Sequence, residues 1–184
     1  MAPRLTMLLV MLVVAAAAGM NLVDGRSGAS EPQVLLRDAK GALAVDVSRA
    51  GRAIVESENM RPGDLVRGRV TVTNAGSGRA RMTLTSELMH ATKTPEGDTF
   101  AEVLRLRVRR RTPHNERSGP KTLYEGTLGG MPALDLRTWH PEGEHQFTFL
   151  VSWPDDGGPD ESSNAWQDSS AEVSFTWTAA PPGS

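Results

Sequence analysis

Asn59-Met-Arg-Pro62-Gly63-Asp64-Leu65-Val66-Arg67-Gly68-Arg69-Val70-Thr71-Val72-Thr73-Asn74 opens on a turn and continues as a strand. Pro62 presets φ to roughly −65°, and Gly63 supplies the positive φ that a type II turn demands. Beyond it, Val66, Gly68, Val70 and Val72 alternate with Arg67, Arg69, Thr71 and Thr73. A period of two lays the small and apolar residues on one face and the polar ones on the other, as a strand does. Asn74-Ala-Gly-Ser-Gly78 breaks the run, and a second alternation starts at Met82, Leu84, Ser86 and Leu88. The two runs form a hairpin-like unit connected over 74–78.

The same reading, carried outward, finds ten short strand candidates. They are Gln33–Arg37, Ala42–Ser48, Arg52–Glu56, Leu65–Asn74, Arg79–Met89, Val103–Arg109, Thr122–Glu125, Ala133–Leu136, Glu144–Trp153 and Ala171–Thr178. Turn signals separate them, and no long apolar stripe of period 3.6 interrupts them, although Asp98–Val103 is compatible with one helical turn. Many short strands with frequent turns predict an all-β sandwich or barrel of about 8–10 strands. Phe147, Phe149, Val151 and Trp153 share one face of a late strand, and Val173, Phe175 and Trp177 one face of the next. Each such side chain contributes about 1.5–3 kcal/mol when buried, so these two strands are the expected centre of the core.

A chain of 184 residues and 19.8 kDa accommodates one domain. Residues 1–18 read as a signal peptide: Arg4 gives the positive start, Leu5 to Val14 the apolar stretch, and Ala15 to Ala18 the small residues of a cleavage site. The alternative is an uncleaved anchor from Leu5 to Val23, interrupted by Gly19 and Asn21. Residues 19–41 form an expected mobile arm, 42–179 the sandwich, and 180–184 a disordered tail, because the closing Pro181-Pro182 cannot continue a ladder.

Several chemistries have no foothold. The absence of cysteine removes disulfides, thiolate metal sites and thiol nucleophiles. A net charge of −2 and a pI near 6.1 lack the basic excess of nucleic-acid binders. The one basic cluster is Arg105, Arg107, Arg109, Arg110 and Arg111. Its first three members alternate with Leu104, Leu106 and Val108, which reads as the solvated face of an edge strand guarded by charge or, alternatively, as a patch for an anionic polymer. Serine occurs in no Gly-x-Ser-x-Gly elbow, and Gly126-Thr-Leu-Gly-Gly-Met131 lacks the Lys-Ser/Thr of a phosphate loop.

Metal ligands are sparse. His140-Pro-Glu-Gly-Glu-His145 groups two imidazoles with two carboxylates, but Pro141 and Gly143 make it a turn, and the helical His spacing of zinc proteases is missing. His90 and His114 stand alone. Asp155 and Asp156 begin an acidic loop that lacks the spacing of a calcium loop and reads as solvated, with a calcium site as the alternative. No cofactor is expected; His140 and His145 for zinc, and Asp155 and Asp156 for calcium, are the candidates.

The order and spacing of four pieces resemble the TasA/camelysin family of secreted β-sandwich proteins. The pieces are Leu43-Ala-Val-Asp-Val47, Asn59 to Asn74, Leu123-Tyr-Glu-Gly-Thr-Leu128, and Asn164-Ala-Trp-Gln continuing to Thr178, spanning about residues 42 to 179. The resemblance implies a jelly-roll-like antiparallel β-sandwich, export by signal peptidase to the cell surface or beyond, and assembly as a homo-polymer into biofilm matrix fibres, with or without a second matrix protein. For camelysin-type relatives it implies a secreted metalloendopeptidase. The chain departs from the family in having no zinc-helix motif and no aromatic-rich segment after the leader. Gln33, Val34, Leu35, Leu36 and Arg37 form a strand-competent segment behind the arm, which makes them the expected donor strand for addition to a neighbouring copy. A non-polymerising cell-surface binding module is the remaining alternative, with membrane contact only through an uncleaved leader.

Overall fold

The computed structural model describes residues 21–22, 36–37, 44–49, 53–55, 57, 60–94, 96–113, 119–155, 166 and 168–182. The leader expected at 1–18 lies outside them. Ten strands are described: β1 Asn21–Leu22, β2 Leu36–Arg37, β3 Ala44–Val47, β4 Leu65–Asn74, β5 Ala80–Ala91, β6 Arg105–Arg111, β7 Lys121–Thr127, β8 Leu134–Trp139, β9 Glu144–Ser152 and β10 Ala171–Ala180. One short helix, α1 Phe100–Val103, and one 3-10 turn, Leu128–Gly130, complete the elements. The protein is an all-β sandwich.

Every ladder is antiparallel. One sheet runs β1-β2-β3-β4-β9-β6-β7 and the other β10-β5-β8. Successive long strands change sheet, β4 to β5 and β9 to β10, so the hairpin expected over 74–78 is instead a crossover between sheets, and four of the eight ladders join strands remote in sequence, as in a jelly roll. The opening turn forms as the sequence predicts: Gly63 has φ 88°, and the Asp64 N–H donates to Arg61 O at 2.9 Å. Gly63 N also donates to Trp153 O at 2.8 Å, which ties the turn to the far end of β9.

The inward residues of both sheets meet in one cluster. Phe147 and Phe149 of β9 face Phe175 and Trp177 of β10; the Phe149–Phe175 rings lie 4.7 Å apart and Phe147–Trp177 5.6 Å. Helix α1 closes one end by placing buried Phe100 between Trp153 and Trp166, at centroid distances of 5.0 and 5.5 Å.

The expected strand at Arg52–Glu56 is a correction. Its described residues Ala53, Ile54 and Val55 form no ladder, yet Ile54 and Val55 are buried. They cross the inner surface of β4 at Gly68, where a Cβ would fall 1.9 Å from Ile54 O. Only glycine permits that approach. Two pieces of the expected arm, β1 and β2, are strands that extend the larger sheet beyond β3. The tail prediction also shifts by one residue, since β10 includes Ala180.

Candidate functional site

Register places an arginine-rich surface on the outside of the larger sheet. Across β4, β9 and β6 the aligned rows are Leu65–Ser152–Arg105, Arg67–Leu150–Arg107, Arg69–Thr148–Arg109 and Thr71–Gln146–Arg111. The intervening residues Gly68, Val70, Leu106, Val108, Phe147, Phe149 and Val151 are buried, so the strand alternation turns the arginines outward. Arg67, Arg69, Arg109 and Arg111 surround a concavity of about 220 Å³ whose floor includes Gln146 and Thr148, and no carboxylate among the described residues lines it. A second concavity of about 190 Å³ continues the surface past Arg105, Arg107 and Leu150 to Ser152. Its one carboxylate, Glu125, accepts a hydrogen bond from Arg107.

The reading of β6 as a charge-guarded edge strand is corrected: β6 lies between β9 and β7. Arg67 and Arg69 belong to the same surface, which the sequence does not reveal, because nothing local states that β9 brings β4 and β6 together. Arg110, the odd member of the run, is half-buried on the other side and donates to Leu136 O at 3.0 Å. Burial, then the nearby Arg137, lowers its pKa.

Partnering separates these arginines from others in the fold. Arg81 pairs with Asp135 at 3.0 Å, Arg107 with Glu125, and Arg79 reaches His140 Nε2 at 3.1 Å. Among the described residues, the guanidinium groups of Arg67, Arg69, Arg109 and Arg111 have no hydrogen-bond or ion-pair partner.

The metal candidates do not converge. Since arginine can only donate, His140 Nε2 is the acceptor of the Arg79 bond and its lone pair is occupied. His145 lies against Trp139 with ring centroids 4.2 Å apart, and its Nδ1 is 3.1 Å from Thr112 Oγ1. Burial, helped by Arg110, pulls the His145 pKa down to about 4 and keeps the ring neutral. The turn between them forms with Gly143 N donating to His140 O at 3.0 Å, and Glu142 takes φ 60°. Asn74 anchors this turn: it is fully buried, its Nδ2 donates to His140 O at 3.0 Å, and its Oδ1 accepts from Gly76 N at 3.2 Å. Asp155 is exposed beside the opening turn, its Cβ 3.8 Å from where a Gly63 Cβ would stand. Asp156 and His114 lie outside the described residues. Among the described residues no three His, Asp or Glu side chains could hold a metal ion.

Of the expected donor segment, Leu36 and Arg37 are described, as β2. They pair with Val45 and Ala44 of β3 in the same chain. β1 adds to their other side, Asn21 opposite Arg37 and Leu22 opposite Leu36. Gln33, Val34 and Leu35 lie outside the described residues. No helix among the described residues is long and apolar enough to cross a membrane.

No protein-family model matches the chain, and no curated protein matches it.

Proposed function

We propose that the chain is a secreted structural subunit that assembles with copies of itself into extracellular matrix fibres, by adding its N-terminal strand to the sandwich of a neighbour. The observation that carries this reading is the β2–β3 ladder, in which the edge of β3 accepts the segment expected to be the donor. An edge that takes this strand from its own chain presents the same hydrogen-bonding groups to the same strand from another copy. Exchange of an identical element between copies is a low-cost route to assembly. The expected fold and the resemblance to TasA/camelysin sandwiches are consistent with it. The peptidase alternative draws no support from His140 and His145, whose rings are engaged by Arg79, Trp139 and Thr112.

The test uses the chain from residue 19 and the register pair Leu36–Val45. Such antiparallel partners hold Cβ atoms at about 4.5–5.5 Å, close to disulfide range. The protein has no cysteine of its own to confuse the result. A mixture of Leu36→Cys and Val45→Cys single variants, oxidised after concentration, yields a disulfide-linked heterodimer if strands exchange. Negative-stain micrographs are expected to show filaments of the chain from residue 19 and none of a chain lacking 19–41. Filaments that persist without 19–41, or the lack of any crosslink between the single variants, overturn the reading.

A further inference from the structure

We propose that the outer face of the larger sheet binds linear acidic polysaccharides, with the anionic groups of one saccharide chain held between the arginines of β4 and those of β6 over the neutral floor of β9. The face is shaped for this. Its two walls, Arg67 and Arg69 on one side and Arg105, Arg107, Arg109 and Arg111 on the other, flank Gln146, Thr148, Leu150 and Ser152. Strands two apart in a sheet are separated by about 10 Å, and successive outward residues on one strand by about 7 Å. A polymer lying along β9 therefore meets a guanidinium of β6 at every second residue over about 20 Å, and one on both sides at Leu150 and Thr148.

Three observations point to a ligand in place of a solvated surface. First, the four arginines around the larger concavity have no partner among the described residues, whereas Arg79, Arg81 and Arg107 each have one. Second, β4, β9 and β6 are interior strands, so these charges do not guard an edge from pairing. Gathering like charges on an interior face opposes folding, and an occupant of opposite sign removes that opposition. Third, guanidinium groups bind carboxylates and sulfates through two parallel hydrogen bonds, and the concavity leaves these forks free to do so.

The occupant is narrowed by what the lining lacks. Proteins that hold single-stranded nucleic acid stack its bases on aromatic rings, and no aromatic residue among the described residues lines either concavity. The concavity of about 220 Å³ is smaller than the roughly 300–1,000 Å³ of pockets that enclose a whole small molecule. It fits one charged group of a longer chain that continues along the open face. Carboxylates and sulfates share this chemistry.

The face belongs to β4, β6 and β9 and not to the arm, so it stands or falls separately from strand exchange. Fluorescence anisotropy on the chain from residue 19, at low salt, measures binding of labelled oligogalacturonate, heparin decasaccharide, oligo-deoxythymidine and neutral dextran. At least one acidic saccharide binds, more tightly than oligo-deoxythymidine, while dextran does not, and the affinity falls as salt rises. Arg69→Gln/Arg109→Gln weakens it by about tenfold or more, with Arg67→Gln/Arg111→Gln as an independent pair. Arg81→Gln, on the other sheet, leaves it unchanged. Preference for the carboxylate or the sulfate saccharide identifies the anionic group. Binding insensitive to both double variants, no binding of either saccharide, or tighter binding of the oligonucleotide overturns the proposal.

Discussion

The two sheets are alike inside and unlike outside. Inside, each supplies two large aromatic residues from its long late strand, Phe147 and Phe149 from β9 and Phe175 and Trp177 from β10, all fully buried in one cluster. Outside, the smaller sheet carries threonine rungs, Thr85 opposite Thr176 and Thr83 opposite Thr178, and its Arg81 is neutralised by Asp135. The larger sheet carries unpartnered arginines at the equivalent outward positions. Burial dictates what an inward position holds, so the inner faces converge. Outward positions on an interior strand are under no such constraint, and a departure from a paired, mixed surface is where function is to be sought.

The largest effect tests the inner likeness. Phe149→Ala and Trp177→Ala each remove a fully buried ring, and each destabilises by about 3–5 kcal/mol. Trp177 falls toward the lower end, because its buried indole N–H has no partner among the described residues and the substitution relieves that loss. Thr176→Ala, on the outer side, costs less than about 1 kcal/mol. Chemical denaturation measures all three, and a Thr176 loss equal to that of Trp177 would reverse the inside and outside of β10.

Asn74→Ala probes the seam between the sheets. It removes the donor to His140 O and the acceptor for Gly76 N, and leaves buried groups unsatisfied at a cost of about 2 kcal/mol. Unchanged stability would show that water replaces the side chain.

Next comes the pH dependence set by His145. Its folded pKa of about 4 lies below the ordinary value of 6.5, so acid protonates the unfolded chain first. This contribution is fully present above about pH 6.5 and is lost as pH falls toward 4. The half-buried ring limits the loss to about 1–2 kcal/mol by pH 4. His145→Gln flattens the melting-temperature profile between pH 4 and 7; a variant as acid-sensitive as the parent would move the effect to another group.

The smallest effect sharpens the outer contrast. Arg69→Thr raises the melting temperature slightly at low salt, by a few tenths of a kcal/mol in stability, on the order of one like-charge contact, and the gain vanishes at high salt. Arg81→Gln, which breaks a pair, gives no gain. Equal behaviour of the two variants would erase the difference between the faces.

Most of the fold is legible because period two is local. Leu65–Asn74 is read residue for residue, and the Asp98–Val103 turn appears as α1, held by Thr99 N donating to Glu102 Oε2 at 2.8 Å. Residues 52–56 mislead because apolar content alone does not distinguish a strand from a segment that wedges Ile54 and Val55 over Gly68. The candidate face is only half legible. Alternation tells that Arg105, Arg107 and Arg109 share a side, but their meeting with Arg67 and Arg69 depends on β9 entering between two strands that lie far from it in sequence. Periodicity assigns a residue to a face and is silent about the neighbour across it.

That insertion also orders events in time. Until Glu144–Ser152 is made, β4 has a ladder only where Val72–Asn74 meets β3, and β6 has only β7; β5 has β8 over Ala80–Leu84 and waits for Ala171–Ala180 along the rest of its length. Pairings across such spans form slowly, because the loop must close before its contacts stabilise it. The larger sheet is therefore complete only once Glu144–Ser152 is made and the smaller only once Ala171–Ala180 follows, so a ribosome making this chain has released most of it before either sheet can close.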